Sequence, residues 1–287
     1  MIGRRIVLLL ALAICCAQVL ASGLRQTPQA PFSARTDAVV VDVTVRQGQT
    51  NVTDLTASEF RVLDNGVPQI VQLVAASSVP LDLTVLNDAG DADSLVQRAW
   101  FSTDVKAVAD LLRPGDRLGI LAAATHSRQL LPLTPVPMTV LPAMPLGGEP
   151  RVVDCLAEAL MIPGMAGRRH VLIVQTTGLD MVSATVPARL PDLAMRSDAV
   201  VDLALTGRFQ NPVMDALLDT ARLTGGDAFK AVNVQDAVRQ LLASAEHTYL
   251  LTYVATGVAH QGAHTITVTV TRPGTFTIGA RHGYVDQ

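Results

Sequence analysis

Three aspartates fall within six positions of the stretch "LDLTVLNDAGDADS", residues 81–94. The stretch opens as an apolar run and closes as an acidic loop. Closely spaced carboxylates are hard oxygen donors, the ligand type that magnesium and calcium select. An open α/β sheet keeps its ligands at such a place, beyond the carboxyl ends of its strands. Asp88, Asp91 and Asp93 are therefore the first candidates for a metal site. The competing use is local. Asp91, Asp93 and Ser94 stand where a following helix would begin, and side chains of this type cap free N–H groups and complement the helix dipole.

Other groups offer less. His260 and His264 are four apart, a zinc-ligand spacing on a helix, but "HTITVTV" alternates like a strand and Gln261-Gly262 reads as a turn. Turn histidines are the expectation. Asp154 and Glu158 are expected on a solvated helix face, and Cys155, next to Leu156, as a buried structural thiol. The sequence contains no Gly-x-Ser-x-Gly elbow, Walker loop or dinucleotide fingerprint. These readings predict a protein that is not an enzyme and uses no cofactor.

The elements that position the acidic loop follow from periodicity. From residue 79 to 246, strands and helices alternate. "LDLTVL", "RLGILAA", "HVLIVQT" and "AVVDLALT" read as buried strands. Between them, Val105, Val108 and Leu112 share one helical face, as do Val152, Leu156 and Leu160, and later Val234, Val238, Leu241 and Ala245. A further helix over 212–223 ends at Gly225-Gly226. Such alternation implies a mostly parallel sheet covered by helices. On either side the pattern is β. Residues 35–78 hold the alternating Val39, Val41, Val43 and Val45 and the tight turn Asp64-Asn65-Gly66. Residues 247–287 hold "TYLLTYVA", "HTITVTVTR" and "TFTIGARHGY". The two flanks are expected to pair into one small antiparallel domain with the α/β domain inserted into it, because a lone hairpin is marginal in water.

The first 21 residues carry Arg4-Arg5, an apolar run from Ile6 to Leu20 and a small residue at Ala21, the pattern of a cleaved secretory signal peptide. An uncleaved anchor is the alternative. Residues 22–34 are polar and proline-bearing and read as a linker. Cleavage would remove Cys15 and Cys16, leave only Cys155, and take the net charge from −3 to −5, since two arginines and no acid leave. No internal disulfide is then available, and a mildly acidic chain without a basic cluster speaks against nucleic acid. The expectation is an exported protein, periplasmic or extracellular, with no membrane span after cleavage.

"DLTASEFRVLDNGVPQ", "VPLDLTVLNDAGDADS", "LLRPGDRLGILA", "GGEPRVVDCLAEAL", "RRHVLIVQTTGLDMVS", "LTGGDAF", "TYLLTYVA" and "ARHGY" occur in this order. The ordered set resembles the von Willebrand factor A-related family of exported bacterial proteins, acidobacterial in type. The resemblance implies a von Willebrand A-like fold and a protein-binding or adhesion role through a metal-ion-dependent site. That site takes an Asp-x-Ser-x-Ser loop, a Thr and a second Asp. Asp88 matches the first position. Gly90 and Ala92 stand where the serines belong, Glu149 where the Thr belongs, and Thr177 where the second Asp belongs, while Gly178 and Asp180 are kept. The expected site is degenerate and holds no metal. A remodelled magnesium or calcium site using Asp88, Asp91 and Asp93 is the alternative. Asp88, Asp91, Glu149, Thr177 and Asp180 are then the expected binding surface for another protein or a cell-surface component. A second function, of a different class, is a structural scaffold or assembly subunit of the cell envelope acting through the β flanks.

Overall fold

The computed structural model describes residues 38–88, 104–124, 127–138, 148–206 and 210–286. The expected signal peptide and linker, and also Asp91 and Asp93, lie outside the described residues. The chain begins with β1 (Ala38–Gln47), β2 (Thr50–Asn51), β3 (Phe60–Asp64), β4 (Val67–Gln69) and β5 (Gln72–Ala75). The middle contributes β6 (Leu81–Asp88), α1 (residues 104–111), β7 (Arg117–Ala123), β8 (Ser127–Pro135), α2 (Val152–Leu160), β9 (Arg169–Thr176), α3 (Leu190–Ala194), β10 (Val200–Leu205), α4 (Pro212–Thr224), β11 (Ala228–Lys230) and α5 (Val234–Ala245). The chain closes with β12 (Thr248–Val254), β13 (Gly262–Val270), β14 (Thr277–Ala280) and β15 (Gly283–Asp286).

The architecture is the expected α/β one: a mostly parallel sheet wrapped by helices and flanked by antiparallel β structure from both ends of the chain. The central sheet runs β11-β10-β9-β6-β7-β8. All neighbours are parallel except the edge pair β7 and β8. Side chains alternate between its faces with a period of two. On β9, Val171 and Ile173 join one core with Val105 and Val108 of α1 and Val238 and Leu241 of α5. Leu172 and Val174 join the other core with Leu156 and Leu160 of α2 and Leu217 of α4. Each such side chain, fully buried, stabilises the fold by about 1.5–3 kcal/mol. Burial on both faces is why these strands read as near-continuous apolar runs.

The flanks interleave. One antiparallel sheet runs β14-β1-β12-β5, with β2 on β1. The other runs β15-β13-β3-β4. Val41, Val43 and Val45 project from β1 into a core shared with Phe60, Tyr249, Leu251 and Ile266. The turn between β3 and β4 uses Asn65 at φ 46° and Gly66 at φ 82°, the left-handed pair that matches strand twist in a tight hairpin. His264 departs from the turn expectation. It lies within β13, 1% exposed, with Nδ1 2.7 Å from the Asp64 carboxylate and its ring stacked on Tyr284 at 4.4 Å. The Tyr253 and Tyr284 hydroxyls donate to the same carboxylate at 3.0 and 2.9 Å. A buried acid with three donors ties β3, β12, β13 and β15 together, which satisfies groups that would otherwise be costly to bury.

At the amino ends of the parallel strands, Asp82 is fully buried and accepts hydrogen bonds from Arg117, at 2.8 Å through Nε, and from Arg168. Burial opposes its charge, but the two guanidinium groups outweigh burial and hold the carboxyl below the ordinary aspartate range. Asp116 accepts from the Leu81 N–H at 2.8 Å and the Arg113 N–H at 2.9 Å. This end of the sheet is clamped, and the opposite end carries the candidate site.

Candidate functional site

The strand order reverses around β6. Its neighbours are β7, next in the sheet sequence, and β9, which follows two intervening strands. Such a reversal is the switch point at which an open parallel sheet keeps its ligands, outside the carboxyl ends of the strands. Asp88 is the last residue of β6 and half-buried. One carboxylate oxygen accepts the Thr176 hydroxyl at 3.0 Å, and that hydroxyl oxygen in turn accepts the Gly178 N–H at 2.9 Å. One residue earlier, the Asn87 side-chain amide donates to Gln175 at 2.9 Å. The two strand ends are thus linked rung by rung through side chains.

Asp180 is turned inward. It accepts the Val153 N–H at 2.8 Å, the Ser183 N–H at 3.0 Å and the Ser183 hydroxyl at 2.7 Å. Val153 lies in the first turn of α2, so Asp180 caps that helix from a different loop and complements its dipole. Ser183 accepts the Asp154 N–H at 3.0 Å, and Asp154 returns two bonds, from the Ala184 N–H at 3.0 Å and the Thr185 N–H at 2.7 Å. Asp154 is therefore not on a solvated face. Burial works against its charge, but the hydrogen bonds from Thr185 and Ala184, with Arg151 nearby, hold its carboxyl below the usual range. Arg151 also donates to the Val182 carbonyl at 2.8 Å, and the Met181 N–H donates to the Pro150 carbonyl at 3.0 Å. Asn211, which caps α4 by accepting the Met214 N–H at 2.8 Å, donates to the Gly178 carbonyl at 3.0 Å. The loops before α2, after β9 and before α4 are thereby joined into one rim.

Glu149 is exposed at this rim, one residue before Pro150. Thr177 is half-buried, its hydroxyl oxygen 3.4 Å from the Leu179 N–H. The structure thus places Asp88, Glu149, Thr177 and Asp180 on the same edge, but their side chains have different work. As a donor set for a hard cation the described residues fit poorly. Asp88 already accepts a hydroxyl, Asp180 is committed to backbone N–H groups, and Glu149 points to solvent. Among the described residues, no three metal-ligating side chains come together. Cys155 is fully buried in α2, and burial pushes its thiol up to about 12. It is a thiol at neutral pH, not a thiolate nucleophile.

Sequence reasoning missed Thr176, Asp154 and Ser183 as members of this rim. A local signal exists for one of them. Asp180 and Ser183 are three apart, the spacing at which an acid bonds a backbone N–H ahead of it in a turn. The Thr176–Asp88 bond crosses between strands and leaves no mark in local spacing.

Among the described residues no helix is long and apolar enough to cross a membrane. No family model matches the chain, and no curated protein matches it. Solved structures similar to it include von Willebrand factor A domains. Proximal thread matrix protein 1 from the mussel byssus, with a zinc-occupied MIDAS motif, is 13% identical at a TM-score of 0.46, over 64% of this chain and 50% of that one. A von Willebrand factor type A structure from Catenulispora acidiphila is 12% identical at a TM-score of 0.41, over 86% and 74%. The ArnB paralog VWA2 from Sulfolobus acidocaldarius is 8% identical at a TM-score of 0.43, over 84% and 75%. The chain spans about half the length of the mussel protein.

Proposed function

We propose that this protein is an exported, non-enzymatic binding module that recognises another protein or a cell-surface component through the carboxyl edge of its parallel sheet. The observation that carries the reading is the rim itself. Loops from three parts of the chain are cross-linked at the switch point, with Glu149 exposed and Asp88 half-buried on the same edge. Loops already tied to one another by hydrogen bonds lose less freedom on association, which keeps its ordering cost low. The acidic character of the rim suits a partner with a basic patch. Steering by exposed charge acts mainly on the association rate and is screened over about 8 Å at physiological salt.

Metal has no part in this reading, because among the described residues Asp88 and Asp180 accept hydrogen bonds from the backbone and from neighbouring hydroxyls. The test is affinity capture from the cell envelope with the full chain, followed by binding of the captured partner to two charge-reversal variants. Glu149→Lys should weaken binding, and more so at low salt. Asp110→Lys, on the exposed face of α1, should leave it unchanged. Loss of binding in the second variant alone would move the contact off the rim. A second reading, a scaffold or assembly subunit working through the flanks, is favoured by Ile70, 92% exposed between β4 and β5. Loss of capture on Ile70→Asp would select it.

A further inference from the structure

The parallel sheet meets the β1 sheet through buried charge. Arg169, the first residue of β9, directs its Nε at the Asp42 carboxylate of β1, and both are nearly fully buried. Arg281, just after β14, reaches under β10 and donates to the carbonyls of Ser197 at 2.5 Å and Ala199 at 3.2 Å. His170 Nδ1 lies 2.9 Å from Asp198. The His282 N–H donates to Leu223 at 3.0 Å, and the Val285 N–H to Met195 at 2.8 Å. Gly225 and Gly226 make this approach feasible. A Cβ on Gly225 would stand 2.6 Å from the Arg281 nitrogen, and one on Gly226 would stand 2.0 Å from the Val201 carbonyl oxygen.

Asp202 sits within this junction, 7% exposed, on β10. Its carboxylate accepts one hydrogen bond among the described residues, from the Asp227 N–H at 2.8 Å. The charges that act on it are Arg169 from β9, Asp42 from β1 and Asp227 from the turn before β11. Arg169 is already bonded to Asp42, and Asp227 pairs at 3.1 Å with Arg46 of β1. Arg281 donates to the Ser197 and Ala199 carbonyls, and Asp198 faces His170. Arg169 thus gives its direct bond to Asp42, and among the described residues no guanidinium bonds the buried Asp202 carboxylate. A buried acid in that position favours its neutral form.

We infer that Asp202 is a proton-uptake site built into the junction, and that mild acidification stabilises the folded chain through it. Burial first, and the charges of Asp227 and Asp42 next, outweigh the Asp227 N–H and Arg169 and push the carboxyl up to about 6. The sign follows from linkage. The folded state binds the proton at a pH where the unfolded chain, with an aspartate near about 3.9, does not. The gain in stability therefore accumulates as pH falls from about 6 towards about 4. Asp198 does not cancel it. Burial opposes its charge, but His170 holds its carboxyl below the ordinary range, so its contribution is lost only in stronger acid.

The test compares the full chain with its Asp202→Asn variant, which keeps an acceptor for the Asp227 N–H but cannot titrate. Chemical unfolding is followed from about pH 7 to about pH 4.5. The ratio of the wild-type folding constant to that of the variant should rise as pH falls, by up to tenfold per pH unit inside the window, one proton being taken up. The variant should equal or exceed the wild type at neutral pH. A ratio that stays flat, or rises with pH, overturns the inference. If the variant does not fold, carboxyl-carbon resonances of the wild type decide. A midpoint for Asp202 near about 6 upholds the proposal, and one near about 4 refutes it.

Discussion

Replacing Asp180 by alanine separates two uses of an acid at the rim. If Asp180 served only as exposed negative charge, removal would change stability by no more than about 0.5 kcal/mol, as most surface substitutions do. Instead its carboxylate receives three hydrogen bonds between 2.7 and 3.0 Å, one of them from the first turn of α2. Loss of a capping side chain costs about 1 kcal/mol, and loss of the favourable charge at a helix amino end up to about 1 kcal/mol more. The sum is about 2 kcal/mol. For a chain of this size each kcal/mol moves the thermal midpoint by about 2–4 °C, so Asp180→Ala should lower it by about 4–8 °C. Asp180→Asn keeps an acceptor without the charge and should fall about midway. Glu149→Ala, at an exposed position on the same rim, supplies the comparison. Differential scanning calorimetry reads all three. Equal midpoints for Asp180→Ala and Glu149→Ala would refute the capping argument.

Magnesium, manganese and calcium should leave the thermal midpoint where a chelator leaves it. A bound ion at about 100 times its dissociation constant would add about 2.7 kcal/mol, a rise calorimetry resolves, and such a rise would return Asp88 to the role of ligand. Cys155 should resist thiol reagents at about pH 8 in the folded chain and react promptly once urea unfolds it; prompt modification of the native protein would contradict its burial.

The parallel sheet and its helices are legible in the sequence because burial on both faces writes itself into composition. "HVLIVQT" could hardly be anything but a covered strand, and Val152, Leu156 and Leu160 mark the inward side of α2. The polar parts are harder to read. Asp154 and Asp180 look alike on paper as loop or surface acids. Only the closeness of residues about thirty positions apart shows that each satisfies the other's segment. His264 departs from expectation for the same reason. Its partner, Asp64, is 200 residues away, and alternation gives a strand without saying which side chain finds a buried acid. Thr176 is equally silent, because its partner Asp88 lies 88 positions away on a neighbouring strand. Apolar burial is roughly additive and local in pattern, whereas a polar contact is specific to a pair.

The interleaving of the two flanks sets an order on events during synthesis. Among the described residues β1 pairs only with its hairpin strand β2 and with β12 and β14, so Val41, Val43 and Val45 have few partners until residues 248–254 have been made. The parallel sheet between them is built from nearer contacts and can close first. For about two hundred residues of elongation β1 is an open edge with an apolar side, the kind of surface that joins wrongly to another chain. The last stretch made, β12 to β15, is then the latch. Its arrival closes a loop spanning almost the whole described chain, a slow step by contact order, and until it arrives neither antiparallel sheet is complete.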